Sequence, residues 1–273
     1  MGGEPRKAAV LGSPISHSLS PVLHSAAYRA LGLDGWTYDR IECPAGELAR
    51  IVSGLGPEWV GLSVTMPGKT EALRFASEQT DRALMVGSAN TLVRTTDGWR
   101  ADCTDIDGVV GALDELGLGE GDTRRAIIVG AGGTARPALA ALATLGTETT
   151  TVIARDEGRA AGTVECGRSA GITTDWAPFE DLAGLAAACD VLISTIPADA
   201  MDAYSTAAAV APRVLDVIYH PWPTPLAQAV ADRGGKVVGG LSMLLNQAYG
   251  QVEQFTGRPA PREAMRAALD GIR

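Results

Sequence analysis

The sequence has few of the residues that build metal sites, disulfide frameworks or membrane spans. Its four cysteines stand far apart without a C-x-x-C pair, and its three histidines lack metal-ligand spacing. No apolar run approaches the ~18 residues that cross a bilayer, and the N-terminus lacks the apolar stretch of a signal peptide. These absences argue against a metal, a disulfide scaffold and a membrane partner, and they predict a protein of the reducing cytoplasm.

Basic charge is also scarce, and little of it is lysine. The 273 residues carry 23 basic and 32 acidic side chains, a formal net charge of −9, so no nucleic-acid partner is expected. Only Lys7, Lys69 and Lys236 are lysines. Because lysine can release its proton at useful pH and arginine cannot, Lys69 in a strand-to-helix turn is a candidate for proton transfer. A plain lysine at a helix start fits the same pattern.

The order of apolar runs and helical patterns predicts an α/β protein of two domains. In residues 1–104, strands alternate with helices, Ser20 is the expected N-cap of the first helix, and the stretch after Lys69 has helical spacing. Asp97-Gly98 predicts a hairpin. In residues 105–240, five apolar strands separated by Ala-rich helices predict a doubly wound parallel sheet of the Rossmann type. Helices within 241–273 are expected to pack back on the first domain.

A glycine-rich turn between an apolar strand and an Ala-rich helix is the sharpest local signal. It matches G-x-G-x-x-A, in which backbone N–H groups and a helix N-terminus hold a pyrophosphate. A structural turn without a ligand is the alternative. After the next strand, Arg155 suits the 2′-phosphate of NADP, whereas Asp156 would repel it if it pointed inward. The residues of the turn are Gly130, Ala131, Gly132, Gly133, Thr134 and Ala135.

Eight short motifs occur in order along nearly the whole chain. They are GSPISHSLSP, SVTMPGKT, VGSANTL, DCTDIDG, VGAGGTAR, ISTIP, VIYHPWPTPL and GGLSMLLNQA. In these motifs the sequence resembles the shikimate dehydrogenase family. The resemblance implies NADPH-dependent reduction of 3-dehydroshikimate to shikimate, on the way to chorismate and the aromatic amino acids. It also implies an N-terminal substrate domain over 1–104, an NADP-binding Rossmann domain over 105–240, and an active site in the cleft between them.

The resemblance implies a role for individual residues. Lys69 and Asp105 would form the catalytic pair, with Lys69 as general acid or base at the reacting oxygen and Asp105 orienting the same group. Taken alone, Asp105 is more typical of an N-cap than of a catalytic carboxylate. The substrate-binding residues would be Ser18, Ser20, Ser63, Thr65, Lys69, Asn90, Asp105, Tyr219 and Gln247. The cofactor-binding residues would be the glycine turn with Arg155, Thr195, Gly240 and Met243.

Three residues depart from the family pattern. Ser63 and Cys103 each stand where asparagine is usual, and Asp156 stands where threonine is usual, which keeps NAD open as the cofactor. A quinate or shikimate dehydrogenase using NAD is therefore a close variant. A non-catalytic nucleotide-binding sensor is an alternative of another class, but a sensor needs no proton shuttle such as Lys69 and Asp105. A monomer or homodimer acting on a small molecule is expected.

Overall fold

The computed structural model, which describes residues 5–272, divides the chain into two units. The first unit consists of the residues up to Thr104 together with those from Gln247 onward, and the second is Asp105–Asn246. Each unit contains one β-sheet with helices, so the predicted α/β fold class is confirmed. The assignment of substrate to one unit and cofactor to the other stays a prediction.

The N-terminal part of the first unit supplies six strands and four helices. The strands are β1 (Arg6–Gly12), β2 (Trp36–Glu42), β3 (Trp59–Val64), β4 (Glu78–Gln79), β5 (Thr91–Thr95) and β6 (Gly98–Asp102). The helices are α1 (Ser20–Ala30), α2 (Leu48–Ser53), α3 (Lys69–Phe75) and α4 (Asp81–Val86).

The sheet of this unit is mixed, because a hairpin follows its parallel strands. β1 is parallel to β2 and β3, whereas β5 is antiparallel to β3 and β6, in the order β2-β1-β3-β5-β6-β4. The predicted hairpin is confirmed. The core beneath it includes the fully buried side chains of Leu11, Leu48, Leu62 and Leu92. Burying each of these side chains contributes on the order of 1.5–3 kcal/mol.

Two local predictions for this unit are wrong. Ser20 is the first helical residue of α1, and the N-cap before it makes no side-chain hydrogen bond. The helical stretch after Lys69 breaks at Phe75, because β4 pairs with β6 and a new helix, α4, begins behind the N-cap Thr80. The Thr80 hydroxyl accepts a backbone N–H of that helix, which is the usual way to satisfy a helix start.

The second unit continues with six strands, and two helices end the described chain. The strands are β7 (Arg125–Val129), β8 (Thr149–Ile153), β9 (Thr173–Ala177), β10 (Val191–Ser194), β11 (Arg213–Asp216) and β12 (Lys236–Gly239). The helices are α5 (Asp105–Glu115), α6 (Ala135–Thr144), α7 (Glu157–Ser169), α8 (Leu182–Ala188), α9 (Ala198–Asp202), α10 (Ser205–Ala208), α11 (Pro225–Asp232), α12 (Gly240–Thr256) and α13 (Arg262–Asp270).

The six strands of the second unit are all parallel and lie in the order β12-β11-β10-β7-β8-β9. This is the doubly wound Rossmann order, in which the connections reverse direction between β7 and β10. The sequence predicted five of the strands. It missed β9, whose sequence TTDWA is no apolar run because the strand lies at the sheet edge. The switch point between β7 and β10 is where such sheets bind ligands.

A buried carboxylate joins three elements of the first unit. Asp102, at the end of β6, accepts hydrogen bonds from Arg82 of α4, from the Thr80 hydroxyl and from Gln254 of α12. Burial by itself raises the pKa of Asp102, but the hydrogen bonds from these three residues and the positive charge of Arg82 outweigh it and lower the pKa to about 2. The C-terminal part of α12 is thereby fixed to the sheet of this unit, and α13 packs on α1.

Two classes of feature are absent from the described chain. Over residues 5–272, none of the helices combines the length and apolar character needed to cross a bilayer. The same residues contain no cluster of three or more His, Cys, Asp or Glu side chains that could hold a metal ion.

Candidate active site

Backbone hydrogen bonds in the first unit bring three predicted site residues into one region. The Val64 N–H donates to the Asn90 carbonyl at 2.7 Å, and the Ala89 N–H donates to the Lys69 carbonyl at 3.0 Å. The segment that enters β5 therefore lies beside both the end of β3 and the first residue of α3. Thr65, Lys69 and Asn90 are held together by this local backbone pairing, with Lys69 half-buried.

The Asn90 side chain is fixed by hydrogen bonds on both ends of its amide. Its Nδ2 donates to Thr104 Oγ1 at 3.0 Å and to Gln247 Oε1 at 3.1 Å. Its Oδ1 accepts the Thr104 N–H at 2.8 Å and the Thr91 hydroxyl at 2.9 Å. Asn90 and Gln247 are both buried, so hydrogen bonds within the protein fix the orientation of their side-chain amides.

Gln251 lies behind this pair, one turn after Gln247 on α12. Its Nε2 donates to the Asn90 carbonyl and to Thr91 Oγ1, both at 3.1 Å. Its Oε1 accepts the Ser63 hydroxyl at 2.7 Å and pairs with His24 Nε2 at 3.3 Å. No motif of the sequence points to Gln251, although its i, i+4 spacing from Gln247 places both on one helix face.

Ser63 belongs to the same buried network. Its hydroxyl accepts the Tyr38 hydroxyl at 2.6 Å and donates to Gln251, so its single hydrogen is used inside the protein. Burial raises the pKa of Tyr38 far above its usual range and lowers the pKa of His24 to about 3, so both rings are neutral. The predicted contact of Ser63 with the substrate stays a prediction.

Ser18 and Ser20 lie where the loop after β1 enters α1. The Ser18 hydroxyl accepts the Ser20 N–H at 3.4 Å, a bond that leaves the hydroxyl hydrogen of Ser18 for another acceptor. Ser18 is half-buried and Ser20 is buried. The N-terminus of a helix favours a negative group, which suits the predicted carboxylate.

Asp105 is the first residue of α5 and belongs to the second unit. It is buried, and it directly follows Thr104, whose N–H and hydroxyl are bonded to Asn90. The first turn of α5 also contains Asp107. Two acidic residues at a helix start are favourable to the helix dipole, so the position of Asp105 is also explained by helix stability alone.

The glycine turn of the second unit lies at the switch point of its sheet. Gly130 has φ +106°, and a Cβ there would lie 2.5 Å from Thr195 Oγ1. Thr195 in turn donates its hydroxyl to the Val129 carbonyl at 2.9 Å. Around Gly132 and Gly133, by contrast, a Cβ would meet open space. The turn therefore needs glycine at Gly130 for its own packing, and it presents bare backbone at the next two glycines.

The end of β8 presents a positive and a negative side chain with different surroundings. Arg155 is exposed. Asp156 is the N-cap of α7, and its Oδ1 accepts the Arg159 N–H at 2.8 Å. The indole of Trp176 donates to the Ala154 carbonyl at 3.0 Å and fixes the end of the strand. The carboxylate of Asp156 is thus held at the helix start.

Tyr219 lies in a loop that is tied to the start of α12. The Gly240 N–H donates to the Ile218 carbonyl at 3.1 Å, and the buried Asp216 accepts the Ile218 N–H at 3.2 Å. Burial raises the pKa of Asp216 and of Tyr219. These bonds hold Tyr219 close in the chain fold to the first turn of α12, which carries Met243.

The chain is similar to known proteins along nearly its whole length. A family model described as the shikimate dehydrogenase substrate binding domain matches residues 10–92. A second, described as the shikimate 5′-dehydrogenase C-terminal domain, matches residues 240–269. A shikimate dehydrogenase (NADP(+)) of Microcystis aeruginosa is 31% identical over 282 residues, which cover 98% of each chain.

Two solved structures are more similar still. Shikimate dehydrogenase of Mycobacterium tuberculosis is 58% identical with a TM-score of 0.93, over 98% of this chain and 100% of that chain. Shikimate 5-dehydrogenase of Mycobacterium fortuitum is 60% identical with a TM-score of 0.90, over 98% and 99% of the two chains. With relatives of this identity aligned over nearly its whole length, the chain belongs to the shikimate dehydrogenase family.

Proposed function

We propose that this protein reduces 3-dehydroshikimate to shikimate with NADPH, in the biosynthesis of chorismate and the aromatic amino acids. The observation that carries the proposal is the fixed amide pair of Asn90 and Gln247, next to Lys69 in the first unit. Preset hydrogen-bonding groups beside a titratable amine suit a substrate with several hydroxyls and one reacting oxygen. The relatives named above are called shikimate dehydrogenases, and the name of the Microcystis aeruginosa protein includes NADP(+).

The second unit fits the cofactor. The open backbone at Gly132 and Gly133 and the start of α6 would hold the pyrophosphate, and Arg155 would hold the 2′-phosphate. Thr195, Gly240 and Met243 remain the proposed contacts toward the nicotinamide. When bound, NADPH supplies the hydride that reduces the substrate ketone.

The chain's own residues would bind the substrate and move the proton. Ser18 and Ser20 donate hydrogen bonds to the substrate carboxylate. Lys69 gives a proton to the carbonyl oxygen as it becomes a hydroxyl, and takes it back in the reverse direction. Asp105 orients that group. The remaining proposed substrate contacts are Ser63, Thr65, Asn90, Tyr219 and Gln247.

One residue favours a second candidate, a quinate or shikimate dehydrogenase that uses NAD, and it does so through the cofactor. Asp156 places a negative charge next to Arg155, and a negative charge opposes the extra phosphate of NADP. As the α7 cap, its carboxylate is bonded to the backbone N–H of Arg159, which supports NADP as the preferred cofactor. We also propose that the protein acts in the cytoplasm, since its four cysteines are buried and form no disulfide.

The test is the absorbance of the reduced nicotinamide, measured with purified protein and each pairing of shikimate or quinate with NADP or NAD. The expected result is rapid reduction of NADP with shikimate and slow reduction in the other three mixtures. A preference for quinate or NAD would assign the sister activity. The absence of turnover in all four mixtures would support a nucleotide-binding sensor instead.

A further inference from the structure

Strand β2 carries two oppositely charged side chains that reach the same loop. Arg40 and Glu42 are two residues apart and therefore lie on the same face of the strand. The Nε and Nη2 of Arg40 both donate to the carbonyl oxygen of Ser18, at 3.0 and 2.6 Å. The Oε2 of Glu42 accepts the N–H of Ile15 at 3.2 Å.

These two contacts hold the two ends of one turn. The Ser18 N–H donates to the Ile15 carbonyl at 3.1 Å, so residues 15–18 form a hydrogen-bonded β-turn. Glu42 binds its first residue and Arg40 binds its last. The fork of two N–H groups on one oxygen fixes the direction of the Ser18 carbonyl more tightly than a single bond would.

The orientation of the Ser18 backbone determines where its hydroxyl points. The Ser18 hydroxyl accepts the Ser20 N–H and keeps its own hydrogen for another acceptor. Arg40 also brings a positive charge within hydrogen-bonding distance of the Ser18 peptide, the sign that favours a carboxylate ligand. Ser18 and Ser20, the proposed carboxylate contacts, are themselves uncharged.

We propose that Arg40, with Glu42, is a positioning residue for the substrate carboxylate, acting through the backbone of Ser18. The inference rests on the proposed function, because it takes Ser18 as a carboxylate contact. Arg40 lies on the edge strand β2, outside the eight motifs of the sequence. Arg40 is exposed, so its loss leaves no buried charge and the fold tolerates its replacement.

The first test is Arg40→Ala with steady-state kinetics. The KM for shikimate should rise about 5–30-fold, the loss expected for a charged hydrogen bond, while kcat stays within about twofold. The KM for NADP and the thermal midpoint should not change. The matched control is Arg258→Ala, which removes another exposed arginine bound to a backbone carbonyl, that of Leu31 at 3.1 Å. The control should leave the shikimate KM unchanged.

A double-mutant cycle with Ser18→Ala tests whether Arg40 acts through Ser18. In the Ser18→Ala background, Arg40→Ala should raise the shikimate KM less than twofold, because the hydroxyl that it positions is gone. Full additivity of the two effects would overturn the inference. Glu42→Gln keeps an acceptor oxygen for the Ile15 N–H and should retain most of the shikimate affinity, whereas Glu42→Leu should lose it.

The outcomes separate this inference from the proposed function. Suppose that wild-type protein turns over shikimate and that Ser18→Ala raises the KM for shikimate. If Arg40→Ala then leaves this KM unchanged, the inference fails and the proposed function stands. If Ser18→Ala has no effect, the carboxylate subsite is elsewhere and the inference fails with it. If wild-type protein neither turns over nor binds shikimate, the proposed function itself fails.

Discussion

The two units present their proposed binding groups in opposite ways. In the first unit, side chains such as Asn90 and Gln247 are buried and already bonded to one another. In the second unit, Gly132 and Gly133 present backbone with open space where side chains would be. A polyol needs donors and acceptors at fixed points, whereas a pyrophosphate needs close approach to N–H groups. The first kind of site therefore depends on many buried partners, and the second on the absence of side chains.

The largest expected effect is on chemistry in the first unit. Replacing Lys69 by alanine removes the proposed proton-transfer group, and kcat should fall by roughly 10²–10⁴-fold. The dissociation constant for NADP, measured by fluorescence titration, should stay as in wild type because the cofactor groups lie in the second unit. A near-wild-type kcat would reject the role of Lys69 and weaken the contrast between the units.

Removing Gln251 should damage the network rather than the reaction. Gln251→Leu takes the buried acceptor away from the hydroxyl hydrogen of Ser63 and removes one of the two donors to the Asn90 carbonyl, so the free energy of unfolding should fall by about 2–4 kcal/mol. Urea denaturation measures this loss. The control Gln228→Leu, which removes an exposed glutamine of the second unit, should change stability by no more than ~0.5 kcal/mol. Equal effects of the two substitutions would contradict the assigned network.

Buried carboxylates of the two units should respond to pH in opposite directions. The pKa of Asp102 is about 2, below the ordinary 3.8, so the ionised form stabilises the folded state. This contribution of roughly 2 kcal/mol should be complete above about pH 4 and be lost as the pH falls toward 2. Wild type should therefore exceed Asp102→Asn in stability at neutral pH, and urea denaturation between pH 7 and 3 should show the gap closing.

Asp216 of the second unit provides the contrast for this measurement. Because burial raises the pKa of Asp216, its protonated form stabilises the folded state, and that contribution is lost as the pH rises through the raised pKa. The stability difference between wild type and Asp216→Asn should therefore shift in favour of wild type on acidification. Parallel pH trends for the two pairs would show that one of these directions is wrong.

Two alanine substitutions in the glycine turn separate folding from binding. Gly132→Ala adds a Cβ into open space, so stability should hold while the KM for NADP rises about tenfold, a cost of ~1.4 kcal/mol. Gly130→Ala adds a Cβ against Thr195 at a positive φ, so it should lower the thermal midpoint. An unchanged NADP affinity in Gly132→Ala would show that the backbone there does not approach the cofactor.

The smallest expected effect concerns the choice between NADP and NAD. Asp156→Asn keeps a side-chain oxygen for the Arg159 N–H but removes the charge, so the KM for NADP should fall about two- to fivefold with little change for NAD. Arg155→Ala should raise the KM for NADP and leave that for NAD nearly unchanged. If both variants affect the two cofactors equally, this end of β8 does not read the phosphate.

The contrast between the units also explains what the sequence could predict. The glycine turn and its flanking strand and helix lie within about twenty consecutive residues, so their pattern was visible. The hydrogen bond between His24 and Gln251 joins residues 227 positions apart, and no local pattern indicates such a partner. The proposed role of Arg40 could not be predicted for a related reason, because it depends on which loop packs beside the edge strand β2. β9 was missed since edge strands need no apolar run.

The division of the chain into units has a consequence for its synthesis on the ribosome. The second unit, Asp105–Asn246, is a continuous insertion in the sequence of the first. Residues up to Thr104 leave the ribosome before the second unit, whereas their hydrogen-bond partners Gln247, Gln251 and Gln254 leave after it. Domains fold as their residues become available. The first unit receives its last residues after the second unit has been synthesised, so the first unit should complete its fold last. The side chains of the first sheet therefore lack their α12 partners until about 140 further residues have been added.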